Sequence, residues 1–532
     1  MVPRIAVAAA AVLLLSCGGA KTPEKTPEKS SEQATASAFT VLAGSELKDI
    51  ETQLKGDIRS ATGLDLAFTY SGTLDAIERI GGGEKFDALW VSHGKYLAMD
   101  AGMKDRIVTQ EKTMLSPVLL GLKKSKAHEL GWDTREPTWK EISDAARAGK
   151  FTFGMTNPAS SNTGLTATIG LAAALSKNPE ALTREDLRNP RLADFFHAQT
   201  LTSGSSGWLA EAYERDQARV DGMINYESVL LSMNASGKLA EPFVLVYPKE
   251  GIITADYPLM LLNGGKRAEY DRLVSYLRGK EFQTRMSERT LRRPVNADAT
   301  VAAAIPARTL IELPFPGQAA TIDALLDNFL AEVRIPGTAR YILDVSGSMK
   351  GPRIAALQDA MRLLASDTAV SSQRFARFQN REKVGVITFS EEPAPTLLFP
   401  MGSTPEENAA ARAKIREMVD SLRTGGSTAI YASLKQALDE LAEERGGVSE
   451  KRYYTAVLMT DGENNRGLTA GQFRDWYAAQ GERVRGIRVF PILFGEGSSE
   501  ELAGIAELTG GRLFDSKSKA LAAVFKEIRG YQ

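Results

Sequence analysis

The chain has 532 residues, 43% of them hydrophobic, a net charge of −1 and a single cysteine. That length can bury more than one core, so two or three domains are expected. The near-neutral balance leaves no basic footprint for nucleic acid. The three histidines (His93, His128, His197) lack metal-ligand spacing, which argues against a zinc enzyme and leaves each as a surface or packing residue.

Arg4 precedes the apolar run Ile5 to Leu15, which leads into Leu14-Leu-Ser-Cys17. The run is too short to span a bilayer, and a small residue stands just before the cysteine. This resembles a bacterial lipoprotein signal. The resemblance implies a lipid-modified (palmitate-bearing) Cys17 at residues 1–17 and a protein anchored to the cell membrane on its extracytoplasmic side, in the periplasm or at the cell surface. Residues 18–38 are mostly Lys, Thr, Pro, Glu and Ser, with the repeat Thr22-Pro-Glu-Lys-Thr-Pro-Glu-Lys29. Such a composition cannot bury apolar surface and reads as an extended tether.

From residue 39 to 305, strand-like runs alternate with helical ones. Phe39 to Leu42, Leu64 to Tyr70 and Phe86 to Val91 are β-type, and each hands over to a helical pattern through a loop with hydroxyls or glycine. The alternation indicates an α/β fold with a parallel sheet. Ser45, Ser71, Thr73 and Ser92 stand at these junctions, where free backbone N–H groups favour an anion, although helix capping alone also explains Ser45 or Ser71. Phe151-Thr-Phe-Gly-Met155 then leads through Thr156-Asn-Pro-Ala-Ser-Ser-Asn-Thr-Gly164 into the apolar helix Leu165 to Leu175.

That loop resembles the second-lobe ligand loop of two-lobed (type II) periplasmic solute-binding proteins. Gly222-Met-Ile-Asn-Tyr-Glu227, Val246-Tyr-Pro-Lys-Glu-Gly251 and Ala255-Asp-Tyr-Pro258 are similar to further pieces of that family. The resemblance implies a ligand trapped between lobes. Met114 to Leu122 and Phe243 to Tyr247 are the expected crossings. Candidate ligand residues are Ser45, Ser71, Thr73, Ser92, Ser160, Ser161, Asn162, Thr163 and Tyr226, a set that suits a small oxyanion or another compact polar solute. Trp90 and Trp208 read as core or hinge residues.

Prolines punctuate 306–338, which reads as a connector carrying an amphipathic helix over Ile322 to Val333. From 339 to 532 the alternation resumes as a doubly wound, Rossmann-like sheet. In Tyr341-Ile-Leu-Asp-Val-Ser-Gly-Ser348 an apolar run ends in a carboxylate followed by two alternate hydroxyls. Gly425-Gly-Ser-Thr428 and Leu458-Met-Thr-Asp461-Gly462 place further oxygen donors beside apolar runs. One carboxylate and two hydroxyls from a tight loop suit a hard divalent cation.

The D-x-S-x-S pattern and its two companions resemble the metal-ion-dependent adhesion site of von Willebrand factor A domains. The resemblance implies metal ligation by Asp344, Ser346, Ser348, Thr428 and Asp461, most simply to Mg²⁺, with Mn²⁺ or Ca²⁺ as alternatives. It further implies an open position for an acidic side chain of a partner protein. Glu463 could compete locally for the metal, but reads as a solvated loop carboxylate. No Ser/His/Asp set, phosphate-binding loop or zinc-ligand pattern is present, so the chain reads as a binding protein and not an enzyme. Two functions fit: solute recognition coupled to a metal-dependent protein partner, or a receptor that delivers solute to an ABC-type permease and docks through the second domain.

Overall fold

Burial follows the period of each segment. The strand Gly337–Asp344 is buried along its whole length, as expected for a sheet covered on both faces. Ala339, Tyr341 and Leu343 join one apolar cluster, while Ile342 joins the cluster on the opposite face. These features come from a computed structural model, which describes residues 38–367, 376–447, 450–494, 499–516 and 521–531. The lipoprotein-like run, Cys17 and the tether through residue 37 lie outside the described residues. Among the described residues, no helix is long and apolar enough to cross a membrane.

Three sheets organise the chain. The first has the strand order Leu66–Ser71, Phe39–Gly44, Ala88–Trp90, Pro258–Leu261, Thr109–Lys112. Its first three strands run parallel, and Pro258–Leu261 returns antiparallel. The second sheet is ordered Thr254–Ala255, Ser116–Lys123, Gly222–Tyr226, Phe153–Thr156, Gln199–Ser203, with Phe243–Val246 also paired to Ser116–Lys123. The chain therefore leaves lobe one, builds lobe two and returns. One expected crossing is corrected: Phe243 to Tyr247 stays inside lobe two, and the return passes through Asp256 and Tyr257, between Thr254–Ala255 and Pro258–Leu261. Apolar character misled here, because an internal strand and a crossing strand both read as short hydrophobic runs.

The outward crossing spans Thr113 to Leu115, and a hydrogen-bond chain links it to the return. Trp90 Nε1 donates to Thr113 Oγ1 at 3.0 Å, and Thr113 Oγ1 donates to the Tyr257 carbonyl at 2.7 Å. Tyr257 has φ +39°, a left-handed backbone uncommon for a bulky residue. Trp90 is thus a hinge-side core residue, fully buried.

The third sheet is ordered Leu397–Pro400, Lys383–Phe389, Gly337–Asp344, Tyr453–Thr460, Arg488–Leu493, Phe514–Asp515. All its pairings are parallel except that of Leu397–Pro400, at one edge. Its two apolar clusters are distinct from those of the lobes.

The expected connector is not a free linker. Ile322, Leu325, Leu326, Phe329 and Leu330 belong to the main cluster of the two-lobed unit. The helix Ala319–Asn328 touches both lobes: the Tyr96 hydroxyl donates to Asp323 Oδ1 at 2.9 Å, and Asn328 Nδ2 donates to the Leu187 carbonyl at 2.7 Å. Phe329 lies 5.0 Å from Phe196, ring to ring. The segment is a strap across the lobes.

His93 anchors that strap by stacking on Phe315 at 4.6 Å, and it is buried. Burial holds its imidazole down at about 4, against an ordinary 6.5. The unfolded chain takes up this proton as pH falls below 6.5, and the folded chain refuses it until about 4. The stability concerned is therefore complete above the upper value and lost across that window. Urea unfolding at about pH 7 and about pH 4.5 should show a smaller acid loss in His93→Gln than in the wild type. Equal losses would exclude His93 as the source.

Candidate functional site

Two groups of side chains stand out, one at the third sheet and one between the lobes. At the third sheet, parallel pairing sets Asp344 and Thr460 side by side at the carboxyl ends of neighbouring strands, where open α/β sheets carry their ligand sites. Thr460 Oγ1 donates to Asp344 Oδ2 at 2.6 Å, and the Ser346 N–H donates to Asp344 Oδ1 at 2.7 Å. The hydroxyls of Ser346 and Ser348 lie 3.1 Å apart, and Ser348 Oγ donates to Asp461 Oδ1 at 2.8 Å. Thr428 completes the ring across Gly462, where an added Cβ would stand 3.7 Å from Thr428 Oγ1 and 3.8 Å from Ser348 Oγ.

All five expected residues therefore converge. Backbone bonds fix the loops that carry them: Gly347 N–H to the Gly426 carbonyl at 3.0 Å, and Gly425 N–H to the Val345 carbonyl at 2.8 Å. Asn465 Oδ1 accepts from the Thr428 N–H at 2.8 Å. Asp344 and Asp461 are buried. Burial, with the Asp461 charge as a lesser cause, raises the Asp344 carboxyl above its ordinary range. Arg353, on the helix Pro352–Leu364, ion-pairs with Asp461 and donates to the Ser348 carbonyl at 3.2 Å. Glu463 is exposed. Thr460, Arg353 and Asn465 escaped the sequence reading. Thr460 stands next to Asp461 in the motif, but the other two show their role only through folding.

Among the described residues, no group of three or more His, Cys, Asp or Glu side chains is placed to hold a metal. The set at the third sheet has only two carboxylates, and its remaining donors are hydroxyls. Hard oxygen donors around two buried carboxylates fit a small divalent cation that keeps several waters.

Between the lobes, Ser92 is the meeting point. Asn162 Nδ2 donates to Ser92 Oγ at 2.9 Å, and the Tyr226 hydroxyl donates to the same oxygen at 2.7 Å. Ser92 belongs to lobe one and the other two to lobe two, so these bonds close the cleft. Thr163 is fully buried beside Tyr226. Ser160 packs against Gly72, where an added Cβ would come within 2.7 Å of the Ser160 carbonyl oxygen. Ser71 is engaged locally, its hydroxyl donating to Asp75 Oδ2 at 2.5 Å. Thr73 and Ser161 are buried at helix starts, and Ser45 is half-buried. Trp208 lies away from the cleft chemistry, with the Arg512 guanidinium 3.6 Å above its ring.

Three groups at this cleft were missed: Glu46, Tyr257 and Arg292. Glu46 lies in the first turn of a short helix, where an acidic residue is common. Arg292 is fully buried; it donates to Asp49 Oδ2 at 2.5 Å and to the Glu46 carbonyl at 2.8 Å. No local pattern links residues so far apart in sequence.

Residues 39–289 match the family model described as bacterial extracellular solute-binding protein, and residues 341–463 match that of the von Willebrand factor type A domain. No curated protein matches. Among solved structures, the fructose-6-phosphate-bound periplasmic binding protein AfuA of Actinobacillus pleuropneumoniae is similar at 14% identity and TM-score 0.44, over 56% of this chain and 98% of that one. The apo ferric ion-binding protein A of Pasteurella haemolytica is similar at 13% identity and TM-score 0.43, over 55% and 97%. The ferric binding protein of Campylobacter jejuni gives 10% identity and TM-score 0.41, over 55% and 95%. The chain thus joins a bacterial extracellular solute-binding domain to a von Willebrand factor A domain.

Proposed function

We propose that this is a lipid-anchored extracytoplasmic binding protein. It would take a small polar solute between its lobes and a protein partner at its A domain. The observation that carries this reading is the convergence of Asp344, Ser346, Ser348, Thr428 and Asp461 at one end of the third sheet, with lobe two docked at the other end. Tyr453 and Arg488, which begin their strands, face lobe two: the Tyr453 hydroxyl donates to the Gln199 carbonyl at 3.4 Å, and Arg488 pairs with Asp216 at 2.5 Å. Asp344 and Asp461 lie at the opposite strand ends, free of that interface.

Those five residues would hold a divalent cation, with Mg²⁺ the simplest choice and Mn²⁺ or Ca²⁺ as alternatives, since oxygen ligands discriminate weakly. When bound, such an ion supplies an electrophilic position for an incoming Asp or Glu. The chain's own part is positional. Ser346 N–H and Thr460 hold both oxygens of Asp344, while Ser348 and Arg353 orient Asp461. At the cleft, Ser92, Asn162, Thr163 and Tyr226 are the proposed solute contacts, with Ser45, Ser71, Thr73, Ser160 and Ser161 at the rim. Cys17 is the proposed lipid attachment.

A second reading, an ABC-type solute receptor that docks through its A domain, is supported by the match to a solute-binding family. The strap favours the first reading, because opening the lobes would break its contacts to one of them.

Mg²⁺ at a hundredfold excess over its Kd should stabilise the chain by about 2.7 kcal/mol, and EDTA should reverse this. Asp344→Asn should abolish that response while the two-lobed unit stays folded, because the apolar clusters are separate. Global unfolding of the variant would contradict this independence. Changing Ser160 and Ser161 to Ala should weaken a solute without altering the Mg²⁺ response, and loss of both together would mean the domains are coupled. Native mass spectrometry of chain prepared without chelator separates the two readings. A co-purifying solute beside one divalent ion favours the receptor, whereas metal alone makes the lobes a scaffold for protein binding.

A further inference from the structure

The helix Pro352–Leu364 starts just behind the loop that carries Ser346 and Ser348, and Arg353 lies in its first turn. A cation there opposes the helix dipole, which favours negative charge at that end. What the side chain reaches accounts for its place. Arg353 Nη1 donates both to Asp461 Oδ2 and to the Ser348 carbonyl, the latter at 3.2 Å. A single guanidinium nitrogen thus ties the donor loop to the carboxylate across the site.

Both oxygens of Asp461 are thereby engaged, Oδ1 by the Ser348 hydroxyl at 2.8 Å and Oδ2 by Arg353. The two bonds differ in kind. A hydroxyl keeps lone pairs and can turn them towards a cation, whereas a guanidinium carries only donors and a full positive charge. The bonds to Asp344 come from neutral donors, the Ser346 N–H and the Thr460 hydroxyl. Among the described residues, Arg353 is the cation that pairs with a proposed metal ligand.

The exposure of the two partners is unequal. The Asp461 side chain is fully buried, while Arg353 keeps 39% of its side chain exposed and has water to move into. Charge then decides what displaces it. A monovalent ion at Asp461 would only replace the positive charge it removes. A divalent ion matches both Asp344 and Asp461 and releases the guanidinium to solvent.

We infer that Arg353 is a built-in competitor for the metal: it holds Asp461 until a divalent ion displaces it, and so sets the concentration at which the site fills. This rests on the metal-site reading and adds its regulation. The contact by which Arg353 orients Asp461 is the one that opens on binding, and the neutral donors keep theirs.

The test is isothermal titration calorimetry with MgCl₂ on the full chain, wild type beside Arg353→Gln, together with thermal unfolding in EDTA and in saturating Mg²⁺. Arg353→Gln should bind Mg²⁺ roughly tenfold more tightly, the worth of one hydrogen bond to a charged group. In EDTA it should melt below the wild type, because buried Asp461 loses its counter-charge, and saturating Mg²⁺ should close that gap. Arg353→Lys keeps the charge and should fall between the two, which makes it the second variant if the first does not fold. Equal or weaker Mg²⁺ binding in the variants overturns the inference and leaves Arg353 as a positioning residue, with the metal reading intact. No Mg²⁺ binding by wild type or variants overturns the metal reading and this inference with it.

Discussion

Parallel pairing of Gly337–Asp344 with Tyr453–Thr460 is the constraint on which the A-domain site depends. Its register sets Leu343 opposite Met459, so Asp344 and Thr460 end their strands as neighbours. A slip of one residue would exchange the faces of Tyr341 and Ile342 and separate Asp344 from Thr460. Such a slip is opposed because both faces are buried, each against its own apolar cluster. The donor ring therefore derives its geometry from the core beneath it. The loops then add only short reaches: Ser346 and Ser348 from one, Thr428 and Asp461 from two others.

The same sheet has a second end, and the chain uses it for attachment. Lys451 Nζ donates to the His197 carbonyl at 2.7 Å, Thr202 Oγ1 to the Gly530 carbonyl at 3.2 Å, and Arg219 pairs with Glu482 at 2.9 Å. Trp208 adds an apolar contact beneath Arg512. These contacts are mostly polar, so the docking is defined largely by the direction of hydrogen bonds and ion pairs. The strap is held more firmly. Arg334, at its end, and Arg529 both pair with buried Glu382 at 2.5 Å. Removing one member of such a buried group costs about 3–5 kcal/mol, because a charge is left unmatched.

The interlobe cleft follows a different logic. Its hydroxyls are largely satisfied by one another, through Ser92, Asn162 and Tyr226. Tyr257 turns the chain at the return crossing with a left-handed backbone.

Much of the architecture was legible in the residues. Alternating strand and helix signals gave the α/β class, and the spacing from Asp344 to Ser348, with Thr428 and Asp461, marked a set that the fold brings together. Short-range patterns carry this information because strand ends and tight loops are local, and the five donors each close an apolar run. Other features required folding. Phe243 to Val246 and Thr254 to Ala255 are both apolar strands, and only sheet pairing shows which one precedes the return. The connector's helix looked amphipathic, but its partners come from both lobes. Glu46, Arg292 and Arg353 are ordinary charged residues in sequence, since burial and the charge facing a side chain are set by segments hundreds of residues away. The sequence by itself determined which donors exist; the tertiary structure decided which of them meet at one site.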